Sequence, residues 1–437
     1  MNASREVHTL RDFVNELDAQ GKLIRITKEC DPVLELPSVM KALDGKPLLF
    51  ENVKGSNMPV VANICSTREL VAMGLGINKK EILPMFMRAV ENPRSAKLED
   101  AVGYREIEPD LSLLPILTYY PFDGGPYIAS GIVAASDPEY GLNLSYHRTM
   151  KIDDNHVVQR ILERHFEKYI ERGLKEFALC IGTTIPVLLG SAVSTDISVS
   201  ELDIANSLRE SRMVEVGGQV IPESEIVIIL ELTGEMADEG PFLDLTETPD
   251  IIRKQRVSKV KKIFVREDAV FHGLLPGGLE HKVLMGMPRE PTIWSEVGKV
   301  CKVKDVLITP GGTSWLHGAV SIYKQTAEDG RNAVEAAFKG HASMKHVFIV
   351  DEDIDIHNPA DIEWAMATRL QADKDIIIIP DSKGSSLDPS ADPKTRNTCK
   401  MGMDMTIPWD KDPKGFVRPP LPKEINKGDY ADLDRCG

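Results

Sequence analysis

The segment Gly141-Leu-Asn-Leu-Ser-Tyr-His-Arg148 constrains the chain more than any other. Side chains alternate along a strand, so Asn143, Ser145 and His147 fall on one side and Leu144, Tyr146 and Arg148 on the other. An amide, a hydroxyl, an imidazole and a guanidinium in so short a run are too polar for an ordinary core strand. Two further polar signals follow downstream. A helical pattern carries His165 on its apolar face, and the turn Asp238-Glu-Gly-Pro-Phe-Leu-Asp244 brings the carboxylates of Glu239 and Asp244 into one short stretch.

A chain of 437 residues is long enough for two or three domains, and ample for an enzyme. With 27% charged and 42% hydrophobic residues it has the make-up of soluble globular material. A formal net charge of −15 argues against a nucleic-acid or anionic-membrane surface, which needs a basic footprint. The six cysteines (Cys30, Cys65, Cys180, Cys301, Cys399, Cys436) form no CxxC pair and no zinc spacing, so they read as reduced thiols. The start Met1-Asn-Ala-Ser-Arg-Glu lacks an apolar signal region and no run of apolar residues is long enough for a bilayer; a cytoplasmic enzyme is the expectation.

Along the chain, Thr9 reads as the cap of a helix closed at Gly21. Short strands are expected at 23–26, 48–50 and 60–62, with a helix after Pro32 and helical pattern over 66–91. This makes a small α/β domain, residues 1–106. The middle region, 107–290, opens on a Pro-, Tyr- and Gly-rich stretch and is mainly β. It includes a strand at 128–135, a nearly all-apolar strand from Glu225 to Glu231, and a hairpin around Gly217-Gly218. Within it, Asp153-Asp-Asn155 is expected to cap a helix in which Val158, Leu162, His165 (or Phe166) and Tyr169 recur, with His165 on the packed face. Residues 291–437 alternate helix and strand, an α/β pattern, with a Pro-, Asp- and Lys-rich tail after Asp404 laid over a surface or a partner subunit.

Asn143, His165 and Glu201 supply an amide oxygen, an imidazole and a carboxylate, a hard, mixed set suited to manganese or magnesium rather than zinc. The same residues also read as a polar strand position, a satisfied core histidine and a glutamate complementing a helix dipole, and spacing leaves both accounts open. Arg148, Glu239 and Asp244 are the catalytic candidates. An arginine can hold a substrate carboxylate with two parallel hydrogen bonds, and a carboxyl whose pKa is raised in an apolar pocket can deliver a proton. That pairing suits decarboxylation followed by protonation; a surface salt bridge beside a Gly-Pro turn is the competing account. The basic runs Arg253-Lys-Gln-Arg256 and Lys259-Val-Lys-Lys262 read as a solvated face with one or two residues available to a phosphate, and no glycine cluster matches a nucleotide-binding loop.

Taken together these stretches resemble the UbiD-like decarboxylases, which use prenylated FMN. Asn143-Leu-Ser-Tyr-His-Arg148 resembles that family's Asn-x-x-x-x-Arg strand, Ser200-Glu201 its Ser-Glu pair, and Glu225 to Glu231 its Glu-Ile-Val-Leu-Glu strand. Glu239-Gly-Pro-Phe-Leu-Asp244 is similar to its Glu-Gly-Pro-aromatic-Gly-acid turn, and Lys400-Met-Gly-Met-Asp404 to a C-terminal signature. One departure is Leu243, which stands where many members of that family have glycine and would reshape the pocket beside Asp244.

The resemblance implies an α+β multidomain fold with a central split β-barrel flavin domain between an N-terminal α/β domain and a C-terminal α/β oligomerisation domain. It implies Mn2+ held by Asn143, His165 and Glu201, with an accompanying K+ left open. Ser145, Tyr146, His147, Arg148, Arg164, His165 and, as a phosphate contact, Lys324 would hold the prenylated FMN. Arg148, Glu239 and Asp244 would form the catalytic network, with Asp244 giving the proton. The partners implied are a small-molecule carboxylic acid, a flavin prenyltransferase that supplies the cofactor, and further copies of the chain in a dimer or dimer-based oligomer. The chain is short, like the archaeal members that convert trans-anhydromevalonate 5-phosphate to isopentenyl phosphate in a mevalonate route, and that is the leading expectation. The alternatives are an aromatic hydroxy-acid (4-hydroxybenzoate-type) decarboxylase and a non-catalytic scaffold, the latter disfavoured because all three positions of the acid-arginine-acid network hold competent residues.

Overall fold

The structure, a computed structural model, describes residues 9–419. Thr9 caps the helix Leu10–Ala19. Its hydroxyl accepts from Asp12 N while the Asp12 carboxylate accepts from Thr9 N, so amides the helix itself leaves unpaired find partners. The helix leads into a four-stranded sheet ordered Ile24–Ile26, Leu48–Phe50, Val60–Ala62, Phe271–Gly273. Its last strand comes from far downstream and runs parallel to Val60–Ala62, lacing the N-terminal segment to the centre of the chain.

The centre is a nine-stranded sheet built on two 14-residue antiparallel strands, Ile226–Glu239 and Arg253–Arg266. Glu176–Ile181, Ile132–Asp137 and Gly141–Tyr146 extend it on one side, His156–Gln159, Thr149–Lys151 and Tyr127–Ile128 on the other, and the ninth strand, Tyr104–Ile107, pairs with the far end of Arg253–Arg266. The apolar run from Ile226 to Leu230 has no polar face because both faces of the sheet are covered. Ile226, Ile228 and Leu230 enter one core with Phe177 and Leu179, while Val227 and Ile229 enter the opposite core with Ala178 and Cys180. Helices Ile185–Gly190 and Glu201–Leu208 fill the second of these cores.

The C-terminal region is a five-stranded mixed sheet ordered Lys302–Ile308, His317–Tyr323, His346–Asp351, Asn397–Asp404, Ile376–Lys383. Helices Glu290–Gly298 and Asp329–Gly340 pack in one core and Pro359–Arg369 in another. Residues after Asp404 fold back on this same region: Ile407 N donates to Asp351 (2.6 Å), Arg369 Nη2 donates to Phe416 O (3.0 Å), and Arg418 pairs with Asp361 (2.7 Å). The end of the tail with Cys436, and the start with His8, lie outside the described residues. Among the described residues no helix is long and apolar enough to cross a membrane.

The helix expected from Asp153 onward is corrected. Asp153 accepts from Asn155 N (2.8 Å) in a side-chain-closed turn, and Val157-Val158 continue as the strand His156–Gln159, paired to Thr149–Lys151. Adjacent β-branched residues pack better on a pleated surface than in a helix, and tertiary pairing decided the matter. The helix begins only at His165, so Phe166 and Tyr169 are buried while His165 keeps 30% side-chain exposure at the first turn rather than a packed position. The expected apolar strand at 128–135 is two strands, Tyr127–Ile128 and Ile132–Asp137.

Candidate active site

The alternation expected around Asn143 holds in three dimensions. Ser145 Oγ lies 3.2 Å from Asn143 Oδ1 and 3.0 Å from His147 Nε2, all on one face, while Tyr146 and Arg148 both face a cavity on the other. His147 Nδ1 donates to Arg160 O (3.0 Å), and burial lowers its pKa to about 4, so the ring is neutral and accepts from Ser145.

Arg148 sits in the two-residue break between the strands Gly141–Tyr146 and Thr149–Lys151, and three carboxylates converge on it. Its Nε and Nη2 take both oxygens of Glu239 (2.8 and 2.9 Å), Nη1 donates to Asp244 (2.7 Å), and Nη2 donates to Asp250 (2.8 Å). Burial would pull the guanidinium's pKa down, but Glu239 first, then Asp244 and Asp250, raise it above its ordinary value. Glu239 ends the strand Ile226–Glu239; Asp244 follows the short strand Phe242–Leu243, and Asp250 lies in its partner Pro249–Asp250, opposite Phe242. The Phe242 ring lies under the guanidinium at 4.8 Å. Glu239 is completely buried and also accepts from Tyr127 Oη (3.1 Å), whereas the Asp244 side chain keeps 17% exposure and faces the cavity. Leu243 turns toward Gly277 and is not part of the cavity wall.

Glu201 opens the helix Glu201–Leu208 and is 3% exposed. Asn143 Nδ2 donates to both its oxygens (3.0 Å each), Leu144 N donates at 2.9 Å, and His165 Nδ1 stands 3.9 Å away. Burial pushes this carboxyl up to about 7 against the pull of those donors. The fold therefore brings Asn143, His165 and Glu201 together. Among the described residues no group of three His, Cys, Asp or Glu side chains that could hold a metal ion occurs; this cluster supplies two such side chains and an amide.

The cavity, about 680 Å³, lies between the central sheet and the C-terminal region. Its wall includes Tyr146, Arg148, Arg164 and Asp244 of the expected residues. Ser145 and His147 point the other way, and Lys324 is elsewhere. Its amine donates to Thr406 (2.7 Å) and Ile407 O (3.0 Å), so the expected phosphate contact there is corrected: this lysine ties down the segment after Asp404. Sequence reasoning missed Asp250, Tyr127, Arg160, His281, Arg289 and Trp315. Lys254, Gln255 and Arg256, read as solvated face, line the cavity, with Lys254 paired to Asp238 and Arg256 to Glu167. The one available signal was Pro249-Asp250, a third acid close to the Glu239 turn.

Three family profiles match in order along the chain. They are described as the N-terminal domain (residues 14–90), the Rift-related domain (90–279) and the C-terminal domain (282–405) of 3-octaprenyl-4-hydroxybenzoate carboxy-lyase. The anhydromevalonate phosphate decarboxylase of Methanocaldococcus jannaschii is 40% identical, over 94% of this chain and 100% of that protein. The enzyme of the same name from Aeropyrum pernix is 36% identical, over 86% and 88%. The solved UbiD-class enzyme HmfF from Pelotomaculum thermopropionicum, in complex with FMN, superposes with a TM-score of 0.93 at 35% identity, covering 97% of this chain and 100% of that one. An evolved dimeric form of HmfF in complex with prFMN gives 0.88 at 34% identity. With an arginine gripped by acids at the cavity, and relatives matched from end to end, the chain belongs to the UbiD family and is a carboxy-lyase.

Proposed function

We propose that the chain decarboxylates trans-anhydromevalonate 5-phosphate to isopentenyl phosphate with prenylated FMN as cofactor. The names of the curated relatives support the substrate, and the cavity supports the chemistry. The observation that carries the reading is the Arg148 guanidinium, which faces the cavity with four of its five N–H groups committed to carboxylates and one, on Nη1, left over.

The residues present fit both groups. A cavity of about 680 Å³ is within the ordinary range of ligand sites, and its wall carries seven cationic side chains against four carboxylates, suiting a phosphate-bearing flavin. Tyr146 and Arg164 are the wall residues for it. Asn143, His165 and Glu201 form a hard donor set around a buried carboxylate that lacks a lysine or arginine partner among the described residues, and they would hold Mn2+ beside the flavin phosphate. Bound prenylated FMN supplies the electron sink that decarboxylation requires.

The chain's own residues then have separable tasks. Arg148 offers its remaining Nη1 hydrogen to the substrate carboxylate and fixes it over the cavity floor. Glu239, locked by Tyr127 and by two bonds to Arg148, holds the guanidinium in plane. Asp244, the most open of the three acids, takes up a proton from solvent, gives it to the carbon left when carbon dioxide departs, and returns to the carboxylate that Arg148 holds. We read the nine-stranded sheet as a split β-barrel flavin domain, a flavin prenyltransferase as the cofactor's source, and the assembled form as a dimer-based homo-oligomer, in keeping with the dimeric relative.

The test is carbon dioxide release by protein co-expressed with a flavin prenyltransferase, offered trans-anhydromevalonate 5-phosphate and 4-hydroxybenzoate side by side. The phosphorylated acid should be consumed, and Asp244→Asn should lower turnover by about a hundredfold or more with flavin retained. Turnover of the aromatic acid alone would overturn the substrate, and full activity in Asp244→Asn would overturn the proton donor.

A further inference from the structure

We propose that Lys282 and Glu247 are positioning residues for the proton donor: the lysine, standing on a helix fixed to the N-terminal segment, holds the tip of the hairpin that carries Asp244 and so sets where that carboxyl meets the reacting carbon. This rests on Asp244 being the donor, as proposed above, and is independent of which acid is the substrate.

The hairpin cannot hold itself. Its ladder has two residue pairs, Phe242 with Asp250 and Leu243 with Pro249, and the proline has no N–H to give. The connection closes through Asp244 N to Thr248 O (3.2 Å) and Glu247 N to Asp244 O (2.9 Å). That closure puts Glu247 at φ +58°, a left-handed conformation that a residue with a side chain keeps only where its surroundings impose it. Here two cations impose it. Lys282 Nζ donates to Glu247 Oε1, and Lys41 Nζ stands 3.5 Å from Oε2. The bond from Lys282, then the charges of Lys282 and Lys41, hold the Glu247 carboxyl below its ordinary value against a partial loss of water.

The anchor is itself anchored. Lys282 is buried in the helix Leu279–Gly286, whose first amide, Leu279 N, donates to Asp44 (3.1 Å to each oxygen). The next residue, Glu280, is fully buried and accepts from Asn63 N (2.8 Å) and Cys65 N (3.2 Å), with His272 Nε2 at 3.2 Å. Gly277, just before the helix, packs against the Glu247 stem so closely that a Cβ there would come within 3.0 Å of Glu247 Cγ. The first turn of the helix is thus fixed to residues 44–65, and Lys282 carries that fixed point to the loop of Asp244. Neither Lys282 nor Glu247 lines the cavity, so both act through Asp244. A half-exposed ion pair adds little to stability, whereas a small displacement of a proton donor is costly to turnover.

The experiment takes holoenzyme of wild type, Glu247→Gln, Lys282→Met, their double variant, Lys282→Arg and Asp244→Asn. Each is assayed on whichever of trans-anhydromevalonate 5-phosphate and 4-hydroxybenzoate the wild type consumes, with flavin absorbance read after desalting. Glu247→Gln and Lys282→Met should each lower kcat about tenfold, leave KM within about twofold and flavin content unaltered, and enlarge the solvent isotope effect on kcat, because the proton step alone has lost its geometry. The double variant should be no slower than either single one, and Lys282→Arg should keep most of the rate. Should Lys282→Met not fold, Glu247→Gln at its half-exposed tip carries the test beside Glu247→Gly, which suits the left-handed backbone, drops the carboxylate and should lose the same rate. Losses that add in the double variant, or that fall on KM and flavin content instead of kcat, overturn the proposal. A slow Asp244→Asn beside a Glu247→Gln of wild-type kcat overturns the anchor alone, and a wild-type kcat in Asp244→Asn overturns the donor reading and the anchor with it.

Discussion

A guanidinium has five N–H groups, and Arg148 spends four of them on Glu239, Asp244 and Asp250. The two-pronged grip on a substrate carboxylate expected from the residue type is therefore not available while the acids hold it, since the paired Nε and Nη2 edge belongs to Glu239. Asp250 closes the remaining side. Burial would raise its pKa, but bonds and charge from Arg253 and then Arg148 hold it below the ordinary value, so it stands as a fixed anion bridging the two arginines. Replacing it with asparagine weakens a charge-assisted bond on the far side of Arg148, and kcat/KM should fall about tenfold, with flavin content and the proton-transfer step intact. Steady-state kinetics together with a solvent isotope effect would check this; an unaltered kcat/KM would show that Glu239 alone sets the arginine. Arg148, Glu239 and Asp244 were legible because they sit in two short, unusually polar motifs. Asp250, Arg160 and Arg289 were not, because each looks locally like any surface residue and becomes functional only through partners brought from elsewhere by the fold.

At the scale of elements, the turn 239–244 is aimed by what packs behind it. Gly124 N donates to Pro241 O (2.9 Å), and a Cβ on Gly124 would come within 2.2 Å of the carbonyl oxygen of Gly240. No side-chain rotation relieves a clash with backbone, so Gly124→Ala should displace the turn that carries Glu239 and Asp244, at a cost of about 1–3 kcal/mol in stability and with a fall in kcat larger than any change in flavin binding. A denaturant titration read beside the kinetics tests it; a variant with wild-type midpoint and turnover would mean that the turn is not held from behind. In sequence the Gly124-Gly-Pro126 stretch reads only as a linker, because close backbone approach leaves no mark beyond the glycine itself. The capped helix Leu10–Ala19 was legible for the opposite reason, since Thr9 and Asp12 satisfy it locally. The segment before His165 failed because Val157 and Val158 fit a helical repeat and a strand equally well, and the ladder with Thr149–Lys151 chose between them.

Over the whole molecule, the cavity joins the central sheet to the C-terminal region, and the C-terminal side of it rests on a histidine. His341 follows the helix Asp329–Gly340, is 6% exposed, and donates through Nε2 to Trp315 O, beneath the indole that supports Arg289. Burial first, then the charges of Arg289 and Lys400, hold its pKa at about 3, against a smaller upward pull from the bond to Trp315. The unfolded chain's histidine titrates near 6.5, so on acidification the unfolded state takes up this proton first. The stability His341 allows is therefore full above pH 6.5 or so and drains away as the pH falls toward the folded value, by about 2 kcal/mol at pH 5. Burial also lifts the carboxyls of Asp351 and Asp404, whose proton uptake in the folded state acts in the opposite direction, so the histidine's share has to be isolated by substitution. In His341→Gln the amide can still donate to Trp315 O but has no proton to take up. Between pH 7 and pH 5 the urea midpoint of the wild type should therefore drop further than that of the variant, and parallel curves would show that the ring is already protonated in the fold or equally shielded in the unfolded chain.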